Sequence, residues 1–568
     1  MKRTLGEDLP RTWPPLQARV ESSFLRQGYR IDQVSAEFWP GVRYAIQVYV
    51  PSGKPPFPGI VMAATGRTGP RHPHYQVMGG AFARMGFLVV AALPLGKGVG
   101  HPAYQYNGIA LLAGTSIAQE QFHTGRRALD YLMSRPDVDP RRVGMIGASD
   151  GGWTTLYVST FDRRIVAIAP ASTNYTFCGL LLPKLWKTMN EAEGNAPEVL
   201  TYRANIPTLT ACNAPRWMHF INSEYEGHRL QYIPVIDGAA RAAYEFANAG
   251  NRYSSHIAPC PHGLWPVAQI EAISWFLQVF LGRRPPEGTF TLQPVRDGEF
   301  EKLIIDGIPV EVVSDKDPEF GKLRVGQLGD DAGGPGFLQI IGTRRRDARH
   351  ARASLAKNPA RMRRELTRCL GLNGLDMNPR ATVEGDRVTL ETESGLRVFG
   401  RWVRPAADKA DPVYLVVGTS VDRSEGLDLG DAARFDLQMR EEGVLGPDTW
   451  ALVMLNRPPI GMWAWDVMSA ARWLSSQGYR RVRLAGVGDA GAVIAILAGT
   501  LAHDFASVEV HKNQIRSLDE DVVGKKTAYT PYWAHRLLWV ADLPELAQLL
   551  QAEGRWKAIA VGRTKRPI

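Results

Sequence analysis

The amino-acid sequence predicts an α/β protein of two related units, each with a mostly parallel sheet that helices cover on both faces. Three observations predict this fold class. At 568 residues the chain is too long for one ordinary hydrophobic core. Continuous apolar runs alternate with amphipathic segments, which is typical of strands and helices in a doubly covered parallel sheet. The same succession of predicted strands and helices also occurs twice along the chain.

The repeat begins with two strand-like segments. PGVRYAIQVYVPSGKPPFPGIVMAATG (40–66) resembles SGLRVFGRWVRPAADKADPVYLVVGTS (394–420). Each has an alternating strand, a polar turn that contains proline, and a continuous apolar strand. Further along, ALDYLMSRPDVDPRRVGMIGASDGG (128–152) resembles AARWLSSQGYRRVRLAGVGDAGA (470–492). These segments predict a helix, a strand and a glycine-rich turn in both copies.

The repeat sets the predicted domain boundaries. Residues 1–285 form a first domain and residues 376–568 a second, smaller one, with residues 286–375 as a connecting segment. The connection contains the hairpin-like sequence EKLIIDGIPVEVV and arginine-rich helices. One of these helices is predicted to begin after Asn358 as its N-cap, with Pro359 at its first position.

Charge and composition limit the partners. The net charge is +10, and much of the excess lies in the arginine-rich helices, which are typical of a solvated face. No nucleic-acid-binding module accompanies them, and no apolar run reaches the roughly 18 residues of a membrane span. The four cysteines are far apart and indicate neither a zinc site nor a disulfide framework. We expect no nucleic-acid partner, no membrane association and no metal, while an oligomer stays open.

The first residues bear on the compartment. MKRTLGEDLPRTWPPLQ has basic residues, but no apolar stretch follows them, so the segment does not resemble a signal peptide. A cytoplasmic location is therefore favoured. Secretion stays open for a chain whose signal peptide has been removed.

The segment GMIGASDGGWTTL predicts a nucleophile. It places Ser149 between an apolar strand and a helix, which is the context that G-x-S-x-G requires. Gly147 and Gly151 avoid clashes that a Cβ would cause in this tight turn. The turn holds the hydroxyl above the sheet, and the N–H of Asp150 is expected to stabilise an oxyanion. The structural alternative is that Ser149 only caps the helix.

A serine hydroxyl needs a base, and His262 fits this role best. It lies in SSHIAPCPHGLWPVAQIEAISWFLQVFLG, in a predicted loop between a short strand and a long amphipathic helix. His256 is the competitor. Because it lies within the alternating strand, a structural role is favoured for it.

The acid is expected after the preceding strand, MHFIN, which ends at Ser223. A carboxylate must reach the far nitrogen of His262 to fix its tautomer. Glu226 is favoured over Glu224, and Asp237 comes third because it can instead cap the next helix. All three stay open at this point.

Residues 40–282 resemble the acetylxylan esterase-like branch of the α/β-hydrolases, which is related to dienelactone hydrolases and prolyl oligopeptidases. YQVMGGAFARMGFLVVAALPLGKGVG, the segment leading to GASDGG, and PHGLWP carry the resemblance. It implies an α/β-hydrolase fold with Ser149 as nucleophile and His262 as base. Glu226 falls where the family usually has aspartate, and its longer side chain can still reach the histidine.

A second departure lies in the loop after the first buried strand. Relatives usually have His-Gly there, whereas this sequence has AATGRTGP, with Thr65 in place of the histidine. Backbone N–H groups supply the second oxyanion donor, so the N–H of Arg67 is the expected one.

The second copy lacks the nucleophile, because Gly488 stands where the first copy has Ser149. GVGDAG (486–491) also spells the dinucleotide fingerprint G-x-G-x-x-G, and Glu509 follows about twenty residues later. However, the fingerprint normally follows the first strand of its unit, and the repeat aligns this one with the serine turn. We therefore expect a degenerate α/β-hydrolase-like domain.

These observations predict a serine hydrolase that cleaves carboxylic esters through an acyl-enzyme, with no metal or organic cofactor. The expected substrate is a small-molecule or carbohydrate ester, with acetylated carbohydrate as the leading choice. A serine peptidase of the prolyl oligopeptidase type is the first alternative. A non-catalytic binding protein and an NAD-dependent enzyme using GVGDAG are alternatives of other classes.

Overall fold

The chain folds into two compact units. The first contains Met1–Tyr104 and Ser116–Ile340, and the second contains Gln105–Thr115 and Ile341–Ile568. The division near Ile340 falls inside residues 286–375, the predicted connecting segment, so that this segment contributes to both units. The domain boundaries at 285 and 376 stay a prediction. The computed structural model describes residues 13–64, 71–92, 102–173, 197–199, 204–294, 301–314, 326–327, 335–404, 412–418, 427, 429, 432–440, 452–526 and 532–558.

The main sheet of the first unit is formed by nine successive strands and one short added strand. In chain order the nine strands are β1 (Arg19–Arg26), β2 (Tyr29–Trp39), β3 (Val42–Pro51), β4 (Phe57–Ala63), β5 (Leu88–Ala92), β6 (Val138–Ala148), β7 (Ala167–Ala171), β8 (Trp217–Ser223) and β9 (Tyr253–Ala258). Three strands of a small separate sheet and the added strand follow: β10 (Phe290–Gln293), β11 (Lys302–Ile305), β12 (Ile308–Pro309) and β13 (Gly326–Gln327).

Helices alternate with these strands. They are α1 (Pro73–Arg84), α3 (Ile117–Ser134), α4 (Asp150–Phe161), α5 (Ile206–Ala211), α6 (Ile233–Phe246) and α7 (Pro266–Leu281), with short 3₁₀ turns at Gly227–Tyr232 and Gly250–Arg252. Between α1 and α3 the chain also forms α2 (Pro102–Ala113), most of which belongs to the second unit.

The strand order in the main sheet is β1-β2-β3-β5-β4-β6-β7-β8-β9, and β13 pairs with β3. The pairs β1/β2, β2/β3 and β3/β5 are antiparallel. Every later pair, from β5/β4 to β8/β9, is parallel. The carboxyl ends of β4 to β9 therefore meet along one edge, where α/β sheets place their ligand sites.

Helices cover both faces of the parallel strands. A Cβ built at Gly59 of β4 would lie 3.0 Å from Leu132 of α3. The next residue, Ile60, shares a buried core with Phe82 of α1 and Phe276 of α7. Because alternate residues of a strand point to opposite faces, the sheet lies between two helix layers. This arrangement confirms the doubly covered parallel sheet predicted from the apolar runs.

The second unit has its own sheet. Its strands are β14 (Arg380–Glu384), β15 (Arg387–Glu393), β16 (Leu396–Arg404), β17 (Val413–Gly418), β18 (Ala433–Gln438), β19 (Val482–Val487), β20 (Phe505–His511) and β21 (Trp556–Ala558). The remaining helices are α8 (Pro335–Leu355), α9 (Pro359–Cys369), α10 (Pro459–Ser476), α11 (Gly488–Leu501), α12 (Leu537–Val540) and α13 (Leu543–Ala552), with one π-helical turn at Leu518–Gly524. As predicted, α9 is capped by Asn358, whose Oδ1 accepts from the Arg361 N–H at 3.0 Å.

The second sheet repeats the first. Its strand order is β14-β15-β16-β18-β17-β19-β20-β21, which matches the first eight positions of the other sheet one for one. Its first three pairs are antiparallel and the rest parallel, again as in the first sheet. The internal repeat in the sequence is therefore one fold present twice. Among the helices that the structure describes, none is long and apolar enough to cross a membrane.

Candidate active site

Ser149 lies in a tight turn between β6, which ends at Ala148, and α4, which begins at Asp150. Its φ is 56° and its ψ is −119°, a conformation that residues with a Cβ rarely adopt. The Ser149 N–H donates to the carbonyl of Ala171 at 3.0 Å. Within the described residues its hydroxyl makes no capping hydrogen bond to the helix. A strained serine that does not cap is the geometry of a nucleophile turn.

The glycines around Ser149 are required by space. A Cβ at Gly147 would lie 2.5 Å from the carbonyl group of Gly151. A Cβ at Gly151 would collide with the carbonyl oxygen of Ala63, at the end of β4. Because backbone atoms cannot move aside as a flexible side chain can, both positions exclude larger residues. The helix therefore starts directly against the neighbouring strand.

The structure brings His262 and Glu226 together. Nδ1 of His262 lies 3.2 Å from Oε1 of Glu226. Glu226 follows β8, and His262 follows β9 in the loop before α7. Ser149 follows β6, so the three predicted residues all lie beyond the carboxyl ends of parallel strands in one sheet. This is the edge at which side chains from different strands can meet over one substrate.

The two other acids occupy different environments. Glu224 is exposed, and its backbone N–H donates to the carbonyl of Ala258. Asp237 lies inside α6, so the expectation that it caps this helix is wrong. Its carboxylate instead accepts from Tyr253 Oη at 2.5 Å and from Ser255 Oγ at 2.8 Å, which ties α6 to β9. Of the three carboxylates, Glu226 is the one shown in contact with His262.

Asp150 and Arg67 were predicted to supply the oxyanion donors. Asp150 is the first residue of α4, and its side chain is buried. The first N–H groups of a helix have no acceptor within the helix, and the helix dipole favours negative charge there. Arg67 and Thr65 lie outside the described residues, so the second donor stays a prediction.

The loop that carries His262 packs on aromatic rings. Trp265 Nε1 donates to the carbonyl of His262 at 3.3 Å, and its ring centroid lies 4.7 Å from that of His74. Burial, with a smaller contribution from the nearby His72, lowers the pKa of His74 to about 4. His74 is therefore neutral at neutral pH. No local pattern in the sequence marks this residue, because only the fold brings it from α1 to the His262 loop.

Two buried serines near the site were also missed. Ser172 follows β7 directly, and Ser223 is the last residue of β8. Their hydroxyl oxygens lie 2.9 Å apart, and Ser172 Oγ accepts from the N–H of Gly263 at 3.0 Å. The only signal in the sequence is that each serine ends an apolar strand. Within the described ranges, no group of three or more His, Cys, Asp or Glu side chains is arranged to hold a metal ion.

The corresponding turn of the second unit lies between β19 and α11. Gly488 has a φ of 70°, so the backbone keeps the left-handed conformation without the serine. The Asp489 carboxylate accepts from the backbone N–H groups of Gln514 and Ile515, the latter at 3.0 Å. This turn follows β14 to β18, whereas a dinucleotide fingerprint follows the first strand of its unit. Its topology is that of a hydrolase turn.

One sequence family matches part of the chain. Residues 40–179 match the profile of the X-Pro dipeptidyl-peptidase (S15) family. The matched stretch includes the Ser149 turn and ends before Glu226 and His262. No significant match is found among curated protein sequences.

Solved structures with a similar fold cover about half of the chain. A methylesterase is 22% identical over 49% of this chain and 61% of its own length, with a TM-score of 0.39. A glucuronoyl esterase from Solibacter usitatus is 15% identical over 47% of this chain and 86% of its own, with a TM-score of 0.37. A protein provisionally assigned as an acetyl xylan esterase from Bacteroides fragilis is 16% identical over 45% and 72%, with a TM-score of 0.36.

The chain therefore spans less than two thirds of the methylesterase. Three observations indicate the fold of the first unit. They are the mixed sheet with its parallel strands β4 to β9, the serine turn after β6, and the family match over residues 40–179. Together these show that the first unit has an α/β-hydrolase fold.

Proposed function

We propose that the first unit is a serine hydrolase that cleaves carboxylic esters, with Ser149 as nucleophile, His262 as base and Glu226 as acid. The observation that carries this proposal is the contact of His262 Nδ1 with a fully buried Glu226 carboxylate, at the sheet edge where Ser149 stands in its strained turn. A buried carboxylate beside Nδ1 favours the tautomer whose Nε2 can take a proton.

The reaction follows from these roles. His262 Nε2 takes the proton of the Ser149 hydroxyl as Oγ attacks the ester carbonyl carbon. The tetrahedral oxyanion is stabilised by backbone N–H groups, for which Asp150 and Arg67 are the candidates. His262 then gives its proton to the leaving alcohol, and an acyl-enzyme remains on Ser149. A water molecule deprotonated by His262 cleaves the acyl-enzyme and releases the acid.

An acetylated carbohydrate is the substrate that we favour. The sequence resemblance to acetylxylan esterase-like enzymes supports it. An exposed aromatic ring supports it as well: Tyr225, directly before Glu226, is 67% exposed. Its backbone N–H donates to the carbonyl of Cys260, two residues before His262. An aromatic ring held beside the catalytic edge offers an apolar face to a sugar ring.

The family match supports a second candidate, a serine peptidase. The matched family is named for removing dipeptides that end in proline, and the match includes the nucleophile turn. An amide and an ester are attacked by the same serine and histidine. The two candidates therefore differ in what holds the substrate and not in the triad.

Hydrolysis of two matched chromogenic substrates separates the candidates. Initial rates are measured for 4-nitrophenyl acetate and for glycyl-proline 4-nitroanilide, and acetate release is measured from acetylated xylan. The proposal predicts ester hydrolysis and acetate release, both abolished in Ser149→Ala and His262→Ala, with little anilide cleavage. Faster cleavage of the anilide than of the esters favours the peptidase. Ester hydrolysis that survives both substitutions contradicts the proposed site.

A further inference from the structure

Two buried serines hold both backbone polar groups of Gly263, the residue after His262. Ser172 and Ser223 are each 1% exposed. The Gly263 N–H donates to Ser172 Oγ at 3.0 Å, and Ser223 Oγ lies 3.4 Å from the Gly263 carbonyl oxygen. The two hydroxyl oxygens are 2.9 Å apart. The loop that carries His262 is thus attached to the ends of β7 and β8.

The chemistry of the groups fixes the direction of these bonds. The Gly263 carbonyl can only accept, so Ser223 donates to it. The Gly263 N–H can only donate, so Ser172 Oγ accepts from it and gives its own proton to Ser223 Oγ. Each hydroxyl then donates once in a closed ring, and Ser223 Oγ also accepts from the Cys260 thiol, whose Sγ lies 3.8 Å away. Such rings strengthen their bonds cooperatively when they are buried, and they leave a costly unpaired group when one member is removed.

The same ring is connected to the nucleophile turn. The Ser149 N–H donates to the carbonyl of Ala171, the residue before Ser172. The Ser172 N–H donates to the carbonyl of Ile221 at 2.9 Å, which anchors this residue to β8. A short path therefore leads from the Ser149 backbone through one hydrogen bond to Ala171, on to Ser172, and through a second hydrogen bond to Gly263.

The conformations along this path show that it needs support. Ser172 has a φ of 50°, which is unfavourable for a residue with a Cβ. Gly263 has a φ of 114°, a conformation that glycine tolerates far better than other residues. The His262 side chain is 42% exposed, so packing alone constrains it weakly. Its placement therefore depends on its contact with Glu226 and on the backbone of its own loop.

We propose that Ser172 and Ser223 are positioning residues that set the place of His262 relative to Ser149. This inference rests on the proposed function and extends it to two residues with no part in the acyl transfer itself. Without the ring, the Gly263 backbone loses its hydrogen bonds and His262 leaves its place. A displacement of about 1 Å costs a catalytic group roughly 10²-fold in rate.

The test uses a pair of variants matched in shape at the end of β8. Ser223→Thr keeps the hydroxyl. Ser223→Val has almost the same shape and volume as Ser223→Thr, but a methyl group stands in place of the hydroxyl. We expect Ser223→Val and Ser172→Ala to lower kcat for 4-nitrophenyl acetate by roughly 10-fold or more, with little change in KM. Ser223→Thr retains most of the activity. Ser159→Ala is the control, because its buried hydroxyl bonds the Leu156 carbonyl within α4.

The second readout asks whether the serines act through His262. The rate at which a fluorophosphonate labels Ser149 is measured in the parent and in His262→Ala, each with and without Ser223→Val. We expect Ser223→Val to slow labelling in the parent and to add nothing in His262→Ala. An equal loss in both backgrounds, or parental kcat in Ser223→Val and Ser172→Ala while His262→Ala is inactive, overturns this inference and leaves the proposed function standing. Absence of Ser149 labelling in the parent overturns both.

Discussion

Glu226 Oε1 lies 3.2 Å from His262 Nδ1, and the two side chains differ strongly in exposure. The glutamate side chain is fully buried, whereas the histidine side chain is 42% exposed. The buried carboxylate can therefore orient the imidazole ring through Nδ1, while the exposed part of the ring stays accessible to substrate and water. This division suits a base that exchanges protons with both the serine and a water molecule.

The choice of acid is the first prediction. Glu226→Gln should lower kcat/KM for esters by about 10²–10⁴-fold, because an amide cannot stabilise the imidazolium and can select the wrong tautomer. Glu224→Gln should stay close to the parent, since its side chain is exposed. Asp237→Asn should lower the melting temperature more than kcat, because its carboxylate bonds Tyr253 and Ser255. Steady-state kinetics of the three variants check this ranking, and a loss in Glu224→Gln as large as that in Glu226→Gln contradicts it.

The second prediction compares two glycines with a left-handed backbone. Gly263 and Gly288 have φ values of 114° and 81°, and apart from their neighbours in the chain no described residue has an atom within 4 Å of a Cβ built at either one. Alanine at each position should therefore cost conformational strain of about 1 kcal/mol or more without a collision. Only Gly263→Ala should also lower kcat, because it alters the loop of His262. Melting temperatures and kcat for both variants test this, and equal kcat in the two argues against the role of the loop.

The third prediction concerns acid stability. The pKa of His74 is lowered to about 4 in the folded protein, from 6.5 for an unperturbed histidine, chiefly by burial. Between these values the unfolded chain binds a proton that the folded protein does not, so stability is full above about pH 6.5 and falls as the pH drops towards 4. The loss is at most about 3 kcal/mol.

His74→Gln should therefore flatten the decline in melting temperature between pH 7 and pH 4.5. His503→Gln is the control for the substitution itself, because the His503 side chain is exposed. Thermal unfolding of the three proteins across this range gives the slopes. Identical slopes in the parent and in His74→Gln would rule out His74 as a source of acid sensitivity.

The fourth prediction concerns the second unit. Gly488 has a φ of 70°, so the backbone of this turn is left-handed, as it is at Ser149 with a φ of 56°. In the described part of this unit the sheet ends at β21, and it has no counterpart of β9, the strand that precedes His262. Gly488→Ser in a Ser149→Ala background should therefore restore neither ester hydrolysis nor fluorophosphonate labelling. Recovery of either one would show that this unit still holds a working base.

Much of the fold could be predicted because its signals are local. The buried strands are continuous apolar runs, and the glycines around Ser149 mark a turn that only small residues permit. The internal repeat also indicated that both units share one fold, and β14 to β21 do follow the same order as the first eight positions of the other sheet. His262 could be placed because it lies between a short strand and a long amphipathic helix.

The rest depends on contacts that the sequence does not encode locally. Glu224 and Glu226 are two positions apart, and only the fold shows that one is exposed and the other buried. The bond from Gly263 to Ser172 spans 91 positions, so no local pattern reveals it. Asp237 was expected to cap a helix because of its residue type, but the bonds to Tyr253 and Ser255 determine its role.

The site of covalent labelling in the full chain shows directly whether Ser149 is the nucleophile. The protein is treated with a fluorophosphonate at neutral pH, digested, and analysed by mass spectrometry for the modified residue. We expect one adduct per chain, on Ser149, formed much more slowly in His262→Ala and lost in Ser149→Ala. An unmodified Ser149 in a folded protein that still hydrolyses esters would contradict the proposed role of Ser149.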